Sequence, residues 1–282
     1  MSARMGHLMP KSRISSSARF QLEGAIGVFD SGVGGLSVLR AIRAALPYEH
    51  LVYVADSGHA PYGDQSETYI TQRTLTVGHW LAEQGVKAIT IACNTATVVA
   101  AKTLREQTHL PVVAIEPAIK PAVALTRSGV VGVLATRQTV QSASVAKLVE
   151  VHGGDKRILL QACPGLVELV ERADLHSADA EDLLRQLVEP LLAEGVDTLV
   201  LGCTHYPFLR DIIQRLAGPD VVLLDPAQAV ARELTRRLAD HGGLSVQTEP
   251  GHVQFFTSGD VGQAQSVMSH LWNEPLTVHA LP

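Results

Sequence analysis

The sequence predicts an α/β protein of two similar Rossmann-like domains, with mostly parallel sheets facing across a central cleft. Two observations carry that expectation. Short apolar runs rich in Val, Ile and Leu recur from Ile26 onward, each followed by a glycine-bearing loop and then by a longer segment with helical spacing. The series is then written a second time, about 105 to 110 residues later. A chain of 282 residues also suits two domains, at about 150 residues each.

The first unit reads in order. Ile26–Phe29, Leu51–Val54, Ala88–Ala92 and Val112–Ile115 do not alternate polar with apolar, the pattern of parallel strands covered by helices on both faces. Gln72–Gln84 and Ala96–Gln107 supply covering helices. In the second unit, Gly195–His205 aligns on Gly85–Thr95 without a gap, at an offset of 110. Val221–Ala227 matches Val112–Ala118, and Val131–Thr136 matches Ile26–Ser31. The units meet near Pro117–Pro121, and Pro226 closes the second.

Beyond it lie a helix over Gln228–Asp240, a break at Gly242-Gly243 and a strand-like Val253–Phe256. Packing of this remainder on the first unit makes that domain discontinuous. The expected division is 25–117 plus 227–270 for the first domain and 118–226 for the second. Residues 1–24, with four basic side chains and Ser15-Ser16-Ser17, read as a disordered tail.

Composition narrows the function. Hydrophobic residues at 46% and charged residues at 18% describe a globular chain, and a net charge of -5 provides no general basic field for nucleic acid or an anionic membrane. No apolar run reaches the length of about 18 residues that a membrane span needs, and the first 24 residues lack a secretory core. Three cysteines do not make a disulfide framework and fit a reducing compartment. The expectation is a cytoplasmic protein. An isologous interface leaves no readable period, so monomer and homodimer both stay open.

In open parallel sheets ligands bind beyond the carboxyl ends of the strands, and the notable polar clusters fall there. Asp30-Ser31-Gly32-Val33-Gly34-Gly35 follows the first strand, 56–63 the second, Cys93-Asn94-Thr95 the third, and Cys203-Thr204-His205 its counterpart. Equivalent placement of Cys93 and Cys203 sets two thiols on opposite walls of one cleft, each near a helix N-terminus that favours thiolate. Opposed thiols suit removal of a proton from one face of a carbon and delivery to the other. Cys163 has no counterpart in the repeat and reads as structural.

Gly32, Gly34 and Gly35 lack the dinucleotide spacing and suit a tight turn whose N–H groups approach a substrate carboxylate, with Asp30 holding an ammonium group. Zinc held by Cys93, Cys203, His205 and His59 is a chemically legal alternative without a close ligand pair. So is an amino-acid-binding protein whose cysteines merely line the pocket.

Asp30–Leu36, Pro61-Tyr62-Gly63, Ala92–Ala96 and Gly202–Pro207 stand in the order and spacing of the glutamate racemases, within the aspartate/glutamate racemase family, and the resemblance runs from about Ile26 to Asp260. It implies interconversion of L- and D-glutamate without cofactor or metal, supplying D-glutamate for bacterial peptidoglycan. Cys93 and Cys203 are then the two bases, with Asp30 and His205 tuning the thiols or guiding protons. Asp30, Ser31, Tyr62, Gly63, Asn94, Thr95, Thr204 and His205 bind the amino acid. Thr136 and Thr139 are further donors, and Glu171 keeps the acidic end of the family's Cys163–Glu171 segment. Aspartate racemases share the paired cysteines and form the alternative enzyme reading.

Members with an N-terminal extension imply activation by a UDP-linked peptidoglycan precursor. An unperturbed thiol of pKa about 8.5 is only about 3% ionised at neutral pH. The chemistry therefore anticipates a depressed thiol pKa, at about 2 kcal/mol from the helix end and neighbours.

Overall fold

A computed structural model of the chain describes Leu22 and residues 24–282, so the tail expected over residues 1–24 lies, apart from Leu22 and Gly24, outside the described residues. The first sheet holds β1 (Ile26–Asp30), β2 (Leu51–Ala55), β3 (Ala88–Ile91) and β4 (Val112–Ala114). The second holds β5 (Val130–Ala135), β6 (Arg157–Ala162), β7 (Thr198–Leu201) and β8 (Val222–Leu224). The chain then returns to the first sheet with β9 (Val253–Thr257) and β10 (Val278–Ala280).

Strand order is β10-β9-β2-β1-β3-β4 in one sheet and β6-β5-β7-β8 in the other, and every strand pair is parallel. The written repeat is thus a structural one: β2-β1-β3-β4 and β6-β5-β7-β8 have the same order. The first sheet extends past residue 270, because β10 pairs with β9 at its edge.

Both faces of the central strands are apolar, and side chains alternate between two covering layers. Ile26 and Val28 of β1 with Leu51 and Tyr53 of β2 pack toward the helix Leu36–Ala45, while Phe29, Val52 and Val54 pack toward the helices Glu67–Glu83 and Asn94–Gln107. In the second sheet Leu199 and Leu201 point into the layer shared with the first unit. Val131, Val133 and Val200 face the helices Ile119–Leu125 and Ala143–His152. One hydrophobic layer therefore runs through both units, and the helix Ala227–Asp240 packs on Leu36–Ala45 within it.

Two helices begin earlier than their apolar periodicity suggests. Ser66 caps Glu67–Glu83 by accepting from the Tyr69 N–H, so the helix starts before Gln72. The sulfur of Cys93 accepts from the Ala96 N–H at 3.3 Å, so the next helix starts at Asn94 instead of Ala96. Cys93 is placed by that cap. Among the described residues, no helix is long and apolar enough to cross a membrane.

Candidate active site

The polar residues at the carboxyl ends of β1, β3, β5 and β7 converge between the units. Asp30, the last residue of β1, is buried, and its carboxylate accepts from the Gly32 N–H at 2.8 Å and from the Thr204 hydroxyl at 2.9 Å. Thr95 Oγ1 at the start of its helix lies 2.9 Å from Thr136 Oγ1, which bonds Thr139 at 3.0 Å. A Cβ at Gly63 would lie 3.0 Å from Thr136, so the Tyr62-Gly63 turn closes on the same hydroxyls. Asn94 is buried, and neither of its amide atoms has a hydrogen-bond partner among the described residues, a costly state for a buried amide.

The two thiols have different surroundings. Cys93 is buried, donates to Ser31 Oγ at 3.4 Å and caps its helix. Burial, then the charge of Asp30, push its pKa up to about 12, against the pull of the Ser31 and Ala96 hydrogen bonds. The depressed thiol pKa anticipated from the helix end is not found here: desolvation outweighs one N–H donor. The charge of Cys203 adds a smaller contribution to the rise.

Cys203 Sγ lies 3.6 Å from His205 Nδ1, and His205 Nε2 lies 2.7 Å from Glu171 Oε1. Burial works to lower the His205 pKa, but the hydrogen bonds and charges of Cys203 and Glu171 together raise it well above the ordinary value. Burial likewise raises the Asp30 carboxyl, opposed by His205, Gly32 and Thr204.

The glycines of the Asp30–Gly35 turn also have a packing role. Side chains at Gly32 and Gly34 would collide with the Glu171 carboxylate and the His205 ring. The Val33 N–H donates to Glu171 Oε1 at 2.8 Å, and the Gly32 N–H goes to Asp30. The loop therefore makes room for Glu171 and His205 of the second unit and binds protein carboxylates. Asp30, expected to hold an ammonium group, is engaged by Thr204 as well.

Every candidate except His59 joins this cluster or its Tyr62 loop. His59 Nδ1 lies 2.6 Å from the Tyr69 hydroxyl, on a cavity shared with Arg73 and Trp80. No group of three or more side chains suited to hold a metal occurs among the described residues.

Sequence reasoning missed several residues that position the site. The Tyr53 hydroxyl donates to the Gly32 carbonyl at 2.7 Å, and Ser37 Oγ donates to the Thr204 carbonyl at 2.9 Å. Asp56 accepts from the Tyr62 hydroxyl at 2.6 Å. Asp56 was already marked by its place in the 56–63 cluster at a strand end, but not its role in holding Tyr62; no signal existed for Tyr53 within an apolar run.

A family model described as Asp/Glu/Hydantoin racemase matches residues 26–234, which contain both cysteines and the residues converging on them. The chain belongs to this racemase family. Similar racemases include a glutamate racemase from Methylococcus capsulatus, 53% identical over 260 residues, with 92% of this chain and 96% of that protein covered. Among solved structures, glutamate racemase isoform RacE1 from Bacillus anthracis aligns with a TM-score of 0.84 at 34% identity, covering 92% of this chain and 97% of that one. Escherichia coli glutamate racemase, solved with L-glutamate and the activator UDP-MurNAc-ala, aligns with a TM-score of 0.80 at 33% identity, covering 92% and 98%.

Proposed function

We propose that this racemase interconverts L-glutamate and D-glutamate, without a cofactor, by proton transfer between the thiols of Cys93 and Cys203. The observation that carries the reading is the placement of these cysteines just beyond the ends of the equivalent strands β3 and β7, both buried and each hydrogen-bonded within the polar cluster between the units. The α-carbon lies between the sulfurs. In one direction a Cys203 thiolate, paired with the His205 imidazolium, takes the α-proton, and the Cys93 thiol delivers its own proton to the opposite face. In the other direction the roles exchange, and the carbon inverts each time.

Removing a proton from an amino-acid α-carbon is the hard step. A turnover of about 10 per second allows a barrier of only about 16 kcal/mol. As the substrate carboxylate gains enolate character, fixed donors in a water-poor site carry that charge. Ser31, Asn94, Thr95, Thr204 and the Tyr62-Gly63 turn are assigned to the substrate's polar groups, with Asn94 the clearest because its amide has no other partner. Asp30 and His205 each stand beside one thiol and are assigned to proton guidance at Cys93 and Cys203 respectively.

The two moving bodies of this reading are residues 25–117 together with the segment from 227 onward, and residues 118–226. The cellular role assigned is supply of D-glutamate for bacterial peptidoglycan, in the cytoplasm. Since the Escherichia coli relative was solved with UDP-MurNAc-ala as activator, that compound is the first effector to add. A change in turnover supports regulation here, and an unchanged rate rejects it.

The test of the reaction is incubation with L-glutamate in heavy water, following optical rotation and the α-proton NMR signal, with L-aspartate in parallel. Loss of rotation together with deuterium incorporation is expected for glutamate. Inversion of aspartate alone moves the activity to the aspartate racemases, and inversion of neither overturns the reading.

A further inference from the structure

Asp56 is fully buried at the end of β2 and joins four segments of the first unit. Its backbone N–H donates to the Asp30 carbonyl at 2.9 Å, which ties it to the catalytic end of β1. Its carboxylate accepts from the Tyr62 hydroxyl at 2.6 Å through Oδ2. The Arg73 guanidinium grips both oxygens, Nε on Oδ2 at 2.9 Å and the second contact on Oδ1 at 2.8 Å. Ser258, just after β9, adds a further side-chain hydrogen bond.

Burial raises the Asp56 carboxyl, but these donors, Arg73 foremost, outweigh it and hold the group below the ordinary carboxylate range. Asp56 is therefore a carboxylate that accepts the Tyr62 hydroxyl's hydrogen bond, while Tyr62 keeps its proton. That matters because Tyr62 is buried and Gly63 packs on Thr136 of the opposite unit. The guanidinium itself lies outside the cleft. It lines an outer cavity of about 530 Å³ with His59, His79, Trp80 and Glu83, and its side chain is 18% exposed.

We infer that Arg73 is a positioning residue for glutamate binding: its two-point grip on Asp56 fixes the anchor of the Tyr62-Gly63 turn from the outer side of the domain. This rests on the glutamate site proposed above. Without the guanidinium, the buried Asp56 loses its main cationic partner. Its cheapest responses are protonation or rotation away from Tyr62, and either frees the turn. Displacement of a substrate-holding group by about 1 Å can cost as much as about 100-fold. A lysine supplies one ammonium and cannot reproduce the fork geometry.

The test is kinetic, with the wild-type protein alongside. Arg73→Ala is expected to raise KM for both glutamate enantiomers about tenfold or more, with kcat changed less. The outer cavity admits a small cation, so millimolar guanidinium chloride is expected to restore a large part of kcat/KM, whereas sodium chloride or urea at equal concentration does not. In the double variant Tyr62→Phe with Arg73→Ala, the loss is expected to match the worse single variant, because both act through one anchor. Arg73→Lys provides a milder substitution, with KM expected to rise at least threefold.

Wild-type constants in either folded Arg73 variant overturn the assignment. So does a loss that guanidinium does not relieve, or one that adds fully to that of Tyr62→Phe. The thermal shift produced by D-glutamate, measured on each protein, reads the same pocket independently of turnover. Failure of wild-type turnover sinks the reaction, while an unaltered ligand shift in Arg73→Ala sinks the positioning role.

Discussion

The surroundings of Cys93 and those of Cys203 occupy equivalent points of a repeated fold, yet their chemistry differs. Cys93 is sealed among Ser31, Ala96 and the buried Asp30, and its thiol is held protonated. Cys203 stands beside the His205 imidazole, which is itself backed by the Glu171 carboxylate. Duplication supplies symmetric positions for two sulfurs. The neighbours on the two sides differ, so the two sulfurs sit in different electrostatic surroundings.

The largest effect expected from breaking this comparison is loss of either sulfur. Cys93→Ser and Cys203→Ser should each lower racemisation by about 10³-fold or more, since a hydroxyl is far less acidic than a thiol and general acid–base catalysis contributes about 10² to 10⁴. Activity near wild type in either single variant, measured by polarimetry, rejects two equivalent sulfurs. Next in size are their neighbours. Asp30→Asn and His205→Asn should each cost about 10²-fold, and the direction-specific part should differ. With substrates deuterated at Cα, the primary isotope effect is expected to grow for one enantiomer in His205→Asn and for the other in Asp30→Asn. Identical effects in both variants erase the distinction between the two sides.

A smaller change sharpens the same point without altering any ionisable group. Gly34→Ala places a methyl against the His205 ring and should lower turnover about tenfold, with an overpacking cost of about 1–3 kcal/mol in thermal unfolding. Gly129→Ala, in a loop with φ +79 remote from the thiols, is the control for backbone strain. It should lose stability and keep turnover per folded molecule.

The smallest effect is chemical. A thiol whose folded pKa is raised to about 12 stays neutral through the neutral range, so iodoacetamide labelling of Cys93 in the ligand-free protein should climb steadily from pH 7 to pH 10 without levelling. A plateau near pH 8, read by mass spectrometry of the Cys93 peptide, contradicts the raised value.

Much of the fold was legible because parallel strands covered on both faces are written as unbroken apolar runs, as at Leu51–Ala55 and Ala88–Ile91. The repeat then identified Cys203 as the counterpart of Cys93. Helix starts were less legible. A cysteine is an unusual cap, and the first turn from Glu67 is too polar to show an apolar period.

The partners within the site were the least legible part. Thr204 reaches Asp30 across 174 residues and Glu171 reaches Val33 across 138, distances over which no local spacing carries information. The glycine loop shows the same limit. Its sequence reveals that side chains are missing, but only the folded chain reveals that Glu171 and His205 occupy the space. Arg73, on a helix that reads as a covering element, acts through Asp56 on a turn the sequence marks by Tyr62-Gly63 alone.

The return of β9 and β10 to the first sheet has a mechanical side. The chain passes between the units twice, once after β4 and once after β8, and Pro117, Ala118 and Pro226 from the two passages line one small cavity. A single tether would allow swivelling in any direction. Two connections set side by side hold the units more closely in register than one would. The backbone route itself thus limits how far the ends of β3 and β7, and the cysteines beyond them, can shift against each other.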